Sequence, residues 1–142
     1  MSNIAWPNAI TATSTTEDHK LGSTRTETAQ EVTASDASLS GAREWIYVKA
    51  GAALAAGDVA EINAAATRYV VKPSVASADT HPMSLVGVAS HAIVLNSYGW
   101  IVRRGEVVAN VESSVSAGHL LTTSGANAGR ALSGGVIGTD GD

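Results

Sequence analysis

Four histidines are the first residues to test for chemistry, because imidazole serves as a metal ligand and as a general acid or base. His19, His81, His91 and His119 are spread along the chain, and no two of them stand two or four residues apart. A local metal-binding signature is therefore missing. The sequence predicts no metal and no cofactor, and it favours surface positions or strand starts for these histidines.

Nucleophilic catalysis is no better supported. Serine is abundant, but no serine stands in the Gly-x-Ser-x-Gly pattern of a nucleophile elbow. The chain has no cysteine, which excludes disulfides, thiolate metal sites and a cysteine nucleophile. The sequence therefore predicts that the protein is not an enzyme. A small barrel with hydrolase activity, using His81, His91 and His119, is the enzymatic alternative.

Composition narrows the class of partner. Of the 142 residues, 44% are hydrophobic. Bulky aromatic side chains are scarce among them: there are three Trp, three Tyr and no Phe. Small side chains remove less area from water, at roughly 25 cal/mol per Å². We therefore expect a compact fold that gains stability by contact with other polypeptides.

Charge and hydropathy exclude two other kinds of partner. A net charge of -4 with only nine Lys and Arg argues against nucleic acid. No apolar run approaches the roughly 18–20 residues that span a bilayer, which argues against a membrane. The first residues lack the positive and apolar regions of a secretory signal, so we expect synthesis in a cytosol.

The elements that would position any site are short β-prone runs separated by glycine, beginning at Glu44. Their spacing predicts a mainly β fold, a small β-barrel or β-sandwich of β-tulip-like shape with an extended N-terminal arm. A hairpin is expected at Arg104-Gly105. The predicted strands are 44–49, 58–62, 67–72, 85–89, 92–95, 99–103, 106–111, 120–123 and 130–132.

Composition also divides the chain. Residues 1–43 are predicted to form an extended arm and polar tether, residues 44–132 a compact β domain, and residues 133–142 a Gly-rich tail. Ile4, Trp6 and Ile10 form an apolar patch that precedes a stretch rich in Ser and Thr, which is the layout of a docking arm; a frayed terminus is the alternative.

Aromatic residues lie on the two strongest predicted strands. Packing in a core or an interface is the favoured interpretation of these residues, and stacking on a sugar or base is the alternative. They are Trp45, Tyr47, Tyr98 and Trp100. The basic pair Arg103-Arg104 is interpreted as a hairpin end or as ion-pair partners at an interface. The predicted partner-binding residues are Ile4, Trp6, Ile10, Leu21, Trp45, Tyr98, Trp100, Arg103 and Arg104.

An internal echo joins residues 54–59 (LAAGDV) to residues 115–120 (VSAGHL). In each, small residues and Gly lead into an apolar strand start, and Gly can adopt positive φ there. The echo indicates a barrel built from two similar halves, or a coincidence in an Ala- and Gly-rich chain.

Four runs occur in order: REWIYVKA at 43–50, LAAGDV at 54–59, LVGVA at 85–89 and YGWIVRRG at 98–105. This series, within residues 43–123, resembles the capsid decoration (cement) proteins of tailed bacteriophages. The resemblance implies a compact β domain, often a homotrimer, on the outer surface of the virion, where it binds the major capsid protein and clamps neighbouring capsomers. A phage tail or head-fibre component that binds host-surface glycans through Tyr98 and Trp100 is the alternative.

Overall fold

The computed structural model describes residues 9–63, 69–75, 85–113, 115–117, 121–124 and 127–133. This part of the chain contains eight strands and one short helix. In chain order they are β1 (Thr24–Glu27), α1 (Ala29–Ser35), β2 (Arg43–Ala50), β3 (Val59–Ile62), β4 (Val70–Pro73), β5 (Leu85–Val88), β6 (Tyr98–Arg104), β7 (Leu121–Thr123) and β8 (Ala131–Ser133).

Five of the strands close into a barrel. They follow the order β2-β4-β3-β5-β6, and β6 pairs back onto β2. Only the β2–β4 pairing is parallel. The longest pairing, between β2 and β6, runs from Glu44↔Arg104 to Lys49↔Tyr98. The expectation of a mainly β barrel is confirmed.

The interior of the barrel is filled by small and β-branched side chains. Alternate residues of a strand point to opposite faces, so Ile46, Val48 and Ala50 of β2 point inward together. A barrel of so few strands has a narrow interior, which suits Ala and Val better than Phe. The buried core residues are Ile46, Val48, Ala50, Leu54, Ala60, Val71, Ala89, Ile93 and Ile101.

Two stretches, residues 50–62 and 89–101, adopt equivalent conformations. Leu54 and Ile93 lie at matching positions and exchange both backbone hydrogen bonds, at 2.9 and 3.0 Å. Each stretch then turns at a residue with positive φ, Gly57 at 89° and Asn96 at 66°. The barrel therefore contains two similar halves related by an approximate two-fold.

The hydrogen bonds that flank this bridge repeat the same symmetry. Ala50 N–H donates to Ser97 O at 2.8 Å, and at the matching positions Ala89 N–H donates to Asp58 O at 2.9 Å. The sequence echo paired residues 54–59 with 115–120 instead, and that pairing stays a prediction. Residues 118–120 of that stretch lie outside the described residues.

The segment predicted as a polar tether contains two regular elements, which corrects that expectation. β4 pairs only with Lys49 and Ala50, at the end of β2. The same edge of β2 is therefore open at residues 43–46, and β1 pairs there. α1 follows at once: the Thr28 hydroxyl caps it by accepting from Glu31 N–H at 3.2 Å, and Val32 is fully buried. Local capping and one buried side chain suffice for so short a helix.

The hairpin expected after Arg104 is absent from the described chain. β6 already pairs with β2 on one edge and β5 on the other, so residues 106–111 find no free edge beside it. Only Val111 makes a bridge, to Ala131. Residues 92–95 likewise form a turn with a single bridge at Ile93. The predicted strands near 120–123 and 130–132 are confirmed as the antiparallel pair β7–β8.

Candidate functional site

The outer face of β2 and β6 carries an aromatic cluster. Trp45, Tyr47 and Trp100 point outward because they alternate with the barrel's interior residues, and all three are at most 3% exposed. The Tyr47 and Trp100 ring centroids are 5.1 Å apart. This face therefore forms a second core outside the barrel.

Residues 9–21, which we call the arm, cover the aromatic face. Ser14 and Tyr98 exchange backbone hydrogen bonds at 3.1 and 2.7 Å. Asp18 N–H donates to the Tyr47 hydroxyl at 3.1 Å, and burial raises the pKa of that hydroxyl. Ile10 and Leu21 pack against the cluster as half-buried side chains.

The cover is incomplete. A cavity of about 220 Å³ lies between the arm and the aromatic face. Its volume is below the roughly 300 Å³ at which pockets for drug-sized ligands begin. It is lined by Ala12, Thr13, Ser14, Asp18, His19, Tyr47, Tyr98 and Trp100.

Cations of the chain itself stand over the outer aromatic rings. Lys49 Nζ lies 5.5 Å from the Tyr98 ring centroid, and the Arg25 guanidinium lies 5.9 Å from a Trp100 ring. A sugar or base that stacked on these faces would have to displace a favourable cation–π contact. The geometry therefore gives little support to glycan recognition by Tyr98 and Trp100.

The described members of the predicted partner-binding set fall into three groups. Trp45 and Trp100 are 1% exposed and pack in a core formed by the chain's own residues, and a partner contact for them stays a prediction. Arg103 and Arg104 are exposed at the end of β6, where Arg103 lies 3.4 Å from Glu44. The half-buried residues are Ile10, Leu21 and Tyr98. Ile4 and Trp6 lie outside the described residues.

A buried ion pair fastens β1 to the aromatic face. Arg43 donates to Glu27 Oε1 from Nε at 2.8 Å and from Nη2 at 2.7 Å, and both side chains are almost fully buried. Trp45 Nε1–H donates to the same oxygen at 3.3 Å. The pair thus links the strand that follows the arm to the strand that carries the cluster.

One end of the barrel presents an exposed apolar surface that the sequence analysis missed. We call it the apolar end: residues 53–56 (ALAA) and 92–95 (AIVL), joined by the Leu54–Ile93 bridge. Neither run contains a charged residue. Val94 is 64% and Leu95 55% exposed, although large apolar side chains are scarce in this chain. The signal in the sequence was two charge-free apolar runs of equal length.

The two histidines that the structure describes, His19 and His91, have different neighbours. His19 packs against Tyr47 with 5.2 Å between ring centroids. His91 Nδ1 lies 3.2 Å from Ser90 Oγ, and burial lowers the pKa of its imidazole. His81 and His119 lie outside the described residues. Among the residues that the structure describes, no three His, Asp or Glu side chains are grouped as a metal site.

A polar network stabilises the loop between β7 and β8. Glu112 Oε1 accepts from Ser124 Oγ at 2.6 Å and from Asn127 Nδ2 at 2.8 Å, and these bonds lower the pKa of the Glu112 carboxyl. Every member of the network has a structural partner within the chain. The network therefore holds Glu112 against the loop that carries Ser124 and Asn127.

Two further findings concern membrane-spanning helices and similarity to known proteins. In the described ranges, no helix is long and apolar enough to cross a membrane. Comparisons of the chain with protein-family models, with curated proteins and with solved structures find no match.

Proposed function

We propose that this protein decorates and stabilises the capsid of a tailed bacteriophage. It binds the lattice of major capsid protein on the outer surface of the virion and associates with itself as a homotrimer. The observation that carries the proposal is the apolar end, an uncharged surface in which Val94 and Leu95 are more than half exposed. The major capsid protein is the proposed partner because four sequence runs resemble those of phage decoration proteins. In chain order they are 43–50, 54–59, 85–89 and 98–105.

The apolar end suits protein docking. Contiguous exposed apolar surface marks interaction sites, whereas single exposed apolar residues need no explanation. Here the exposed residues come from two loops held together by the Leu54–Ile93 bridge, so the surface is preorganised. A rigid docking surface loses less entropy on binding. Even a modest contact, repeated over a symmetric shell, holds strongly through avidity.

The beginning of the chain provides a second contact. Ile10 packs at the aromatic face beside β6, so the residues that precede it are joined to the barrel there. Ile4, Trp6 and Ile10 are the large apolar residues of this region, and aromatic anchors dominate interface energies. In the proposal they contact neighbouring subunits of the shell.

Paired substitutions of two equally exposed valines test the docking surface. Val94 is 64% exposed at the apolar end, and Val108 is 65% exposed after β6. Val94→Asp should lower occupancy at least tenfold when the purified protein is co-sedimented with capsids of the encoding phage, because it buries a charge at the interface. Val108→Asp should bind as the wild type does.

Circular dichroism and Trp fluorescence would first establish that both variants fold. Wild-type occupancy by folded Val94→Asp would remove the apolar end from the proposal. Deletion of residues 1–12 tests the second contact: we expect a folded barrel with weakened attachment. Full occupancy by that truncation would show that the beginning of the chain does not bind the shell.

A further inference from the structure

We propose that the arm, residues 9–21, is exchanged between copies of the protein, so that in the oligomer it covers the aromatic face of a neighbouring barrel. The inference rests on the self-association in the proposed function and not on capsid binding. It follows from three features of the structure: a weakly held arm, a face that must be covered, and a hinge that separates the two.

The arm is weakly held. Two backbone bonds join Ser14 to Tyr98, one joins Asp18 to the Tyr47 hydroxyl, and three half-buried side chains, Ile10, His19 and Leu21, pack against the face. Most of its residues are exposed, and the 220 Å³ cavity lies beneath it. Segments with few buried apolar contacts open locally at a small cost in free energy.

The face beneath the arm cannot stay open. Tyr47 and Trp100 are 3% and 1% exposed while the arm is in place. Opening the arm would expose large aromatic surfaces to water, and such surfaces drive association. A face with this composition is re-covered by whichever matching segment is nearest. The segment that matches it best is the arm of another copy, because its contacts are the same.

The hinge lies at the turn formed by Leu21 and Gly22. Gly22 has a φ of 87°, and its N–H donates to Tyr47 O at 2.9 Å. Immediately after it, β1 is fixed to β2 by four paired residues and by the buried Glu27–Arg43 ion pair. Exchange therefore stops at the turn: the arm can leave while β1 stays.

Exchange replaces intrachain contacts by identical interchain contacts, so it changes little in the enthalpy of the folded protein. What changes is the effective concentration of the arm. In a trimer, and more so on a shell, neighbouring arms are held close enough to each face to compete with the chain's own arm, which permits reciprocal exchange. The arm then links subunits without any new interface chemistry.

Engineered disulfides can distinguish exchanged from closed arms, because the natural chain has no cysteine. Ser14 and Tyr98 are paired, and paired residues of antiparallel segments lie about 4.5–5.5 Å apart at Cα, within reach of a disulfide. The test variant is Ser14→Cys/Tyr98→Cys. The matched control is Val59→Cys/Val88→Cys, an antiparallel pair between two barrel strands.

A second test pair keeps Tyr98 intact. A Cβ placed on Gly99 would lie 3.4 Å from Thr13 Cγ2, so Thr13→Cys/Gly99→Cys joins the same two segments from the other face. The purified oligomer, without capsids, is oxidised and run on a denaturing gel without reductant. Single-cysteine variants measure random cross-linking.

We expect most of each arm pair to migrate as covalent species of two or more chains, and the barrel pair to migrate as single chains. Arm disulfides found only within single chains would overturn the proposal, as would thiols that stay free in both arm pairs. Capture of the arm by capsid protein instead of a second copy would leave the thiols of both arm pairs free when capsids are added, and this also contradicts exchange. The result of the Val94→Asp experiment on capsid binding does not depend on any of these outcomes.

Discussion

The buried ion pair between Glu27 and Arg43 makes a quantitative prediction about how β1 is held beside the hinge. Both side chains are at most 7% exposed, and Arg43 donates to Glu27 from two nitrogens. Arg43→Met removes both donors and leaves the Glu27 carboxylate in a buried site. Trp45 Nε1–H, at 3.3 Å, is then its remaining side-chain donor.

The magnitude follows from the cost of stranding a charge. Breaking a buried pair by removing one partner costs about 3–5 kcal/mol. The double variant Glu27→Met/Arg43→Met removes the stranded carboxylate and leaves only the Trp45 N–H without its acceptor, which costs about 1–3 kcal/mol. We therefore expect the double variant to be about 2 kcal/mol more stable than Arg43→Met alone.

Equilibrium urea unfolding at pH 7, followed by Trp fluorescence, measures all three free energies. The matched control is Arg103→Met, which breaks the exposed pair between Arg103 of β6 and Glu44 of β2. An exposed pair contributes about 0–1 kcal/mol, so this variant should be nearly as stable as the wild type.

Two results would refute this reasoning. One is a loss of less than about 1 kcal/mol in Arg43→Met, which would mean that water reaches Glu27 readily. The other is a double variant less stable than Arg43→Met, since a Glu27 carboxylate without its partner would then be accommodated better than an apolar side chain, and no charge would be stranded.

Three further predictions concern the barrel itself. Burial lowers the pKa of His91, so near the ordinary imidazole pKa of 6.5 the unfolded chain binds more protons than the folded chain. The contribution of His91 to the free energy of unfolding is therefore complete above that pH, and it is lost as the pH drops toward the folded-state pKa. His91→Gln should flatten this pH dependence in unfolding measured between pH 5 and 7. Ile101→Ala should lower the free energy of unfolding by about 2–5 kcal/mol, because Ile101 is fully buried in the core, whereas Val108→Ala should change it by less than about 0.5 kcal/mol. Gly87→Ala should unfold at a lower urea concentration than Gly41→Ala. A Cβ on Gly87 collides with a backbone carbonyl of β6. A Cβ on Gly41 meets no atom within 4 Å, so Gly41→Ala costs only about 1 kcal/mol for the positive φ of that residue.

Each of these has a contrary outcome. An unchanged pH slope in His91→Gln would mean that the burial of His91 does not couple folding to protonation. A loss below about 1 kcal/mol in Ile101→Ala would mean that the barrel collapses around the vacated volume. Equal stability of the two glycine variants would show that β5 and β6 can move apart without loss of pairing.

Several features could be predicted from the sequence because they depend on near neighbours. The aromatic and β-branched residues in 44–49 and 99–103 located β2 and β6. The scarcity of large side chains indicated a compact fold, and small side chains fill the interior of the five-stranded barrel. These patterns act within a few residues, so they are legible in the chain itself.

Other features were not predictable because they depend on distant partners. The stretch 106–111 has strand-like composition, but β2 and β5 already occupy both edges of β6. Thr24–Glu27 has little strand character of its own, yet it becomes β1 because β2 offers an unpaired edge. The apolar end was missed for the same reason: its two runs are separate in sequence and meet only through the Leu54–Ile93 bridge.

The sequence by itself determined that the chain is rich in strands and poor in bulky side chains. Only the tertiary structure decided that Tyr47 and Trp100 are covered by the chain's own arm, and that Val94 and Leu95 are left exposed. The physical reason is that burial depends on which strands become neighbours. In a barrel closed by pairing between β2 and β6, that choice is made between residues far apart in the chain.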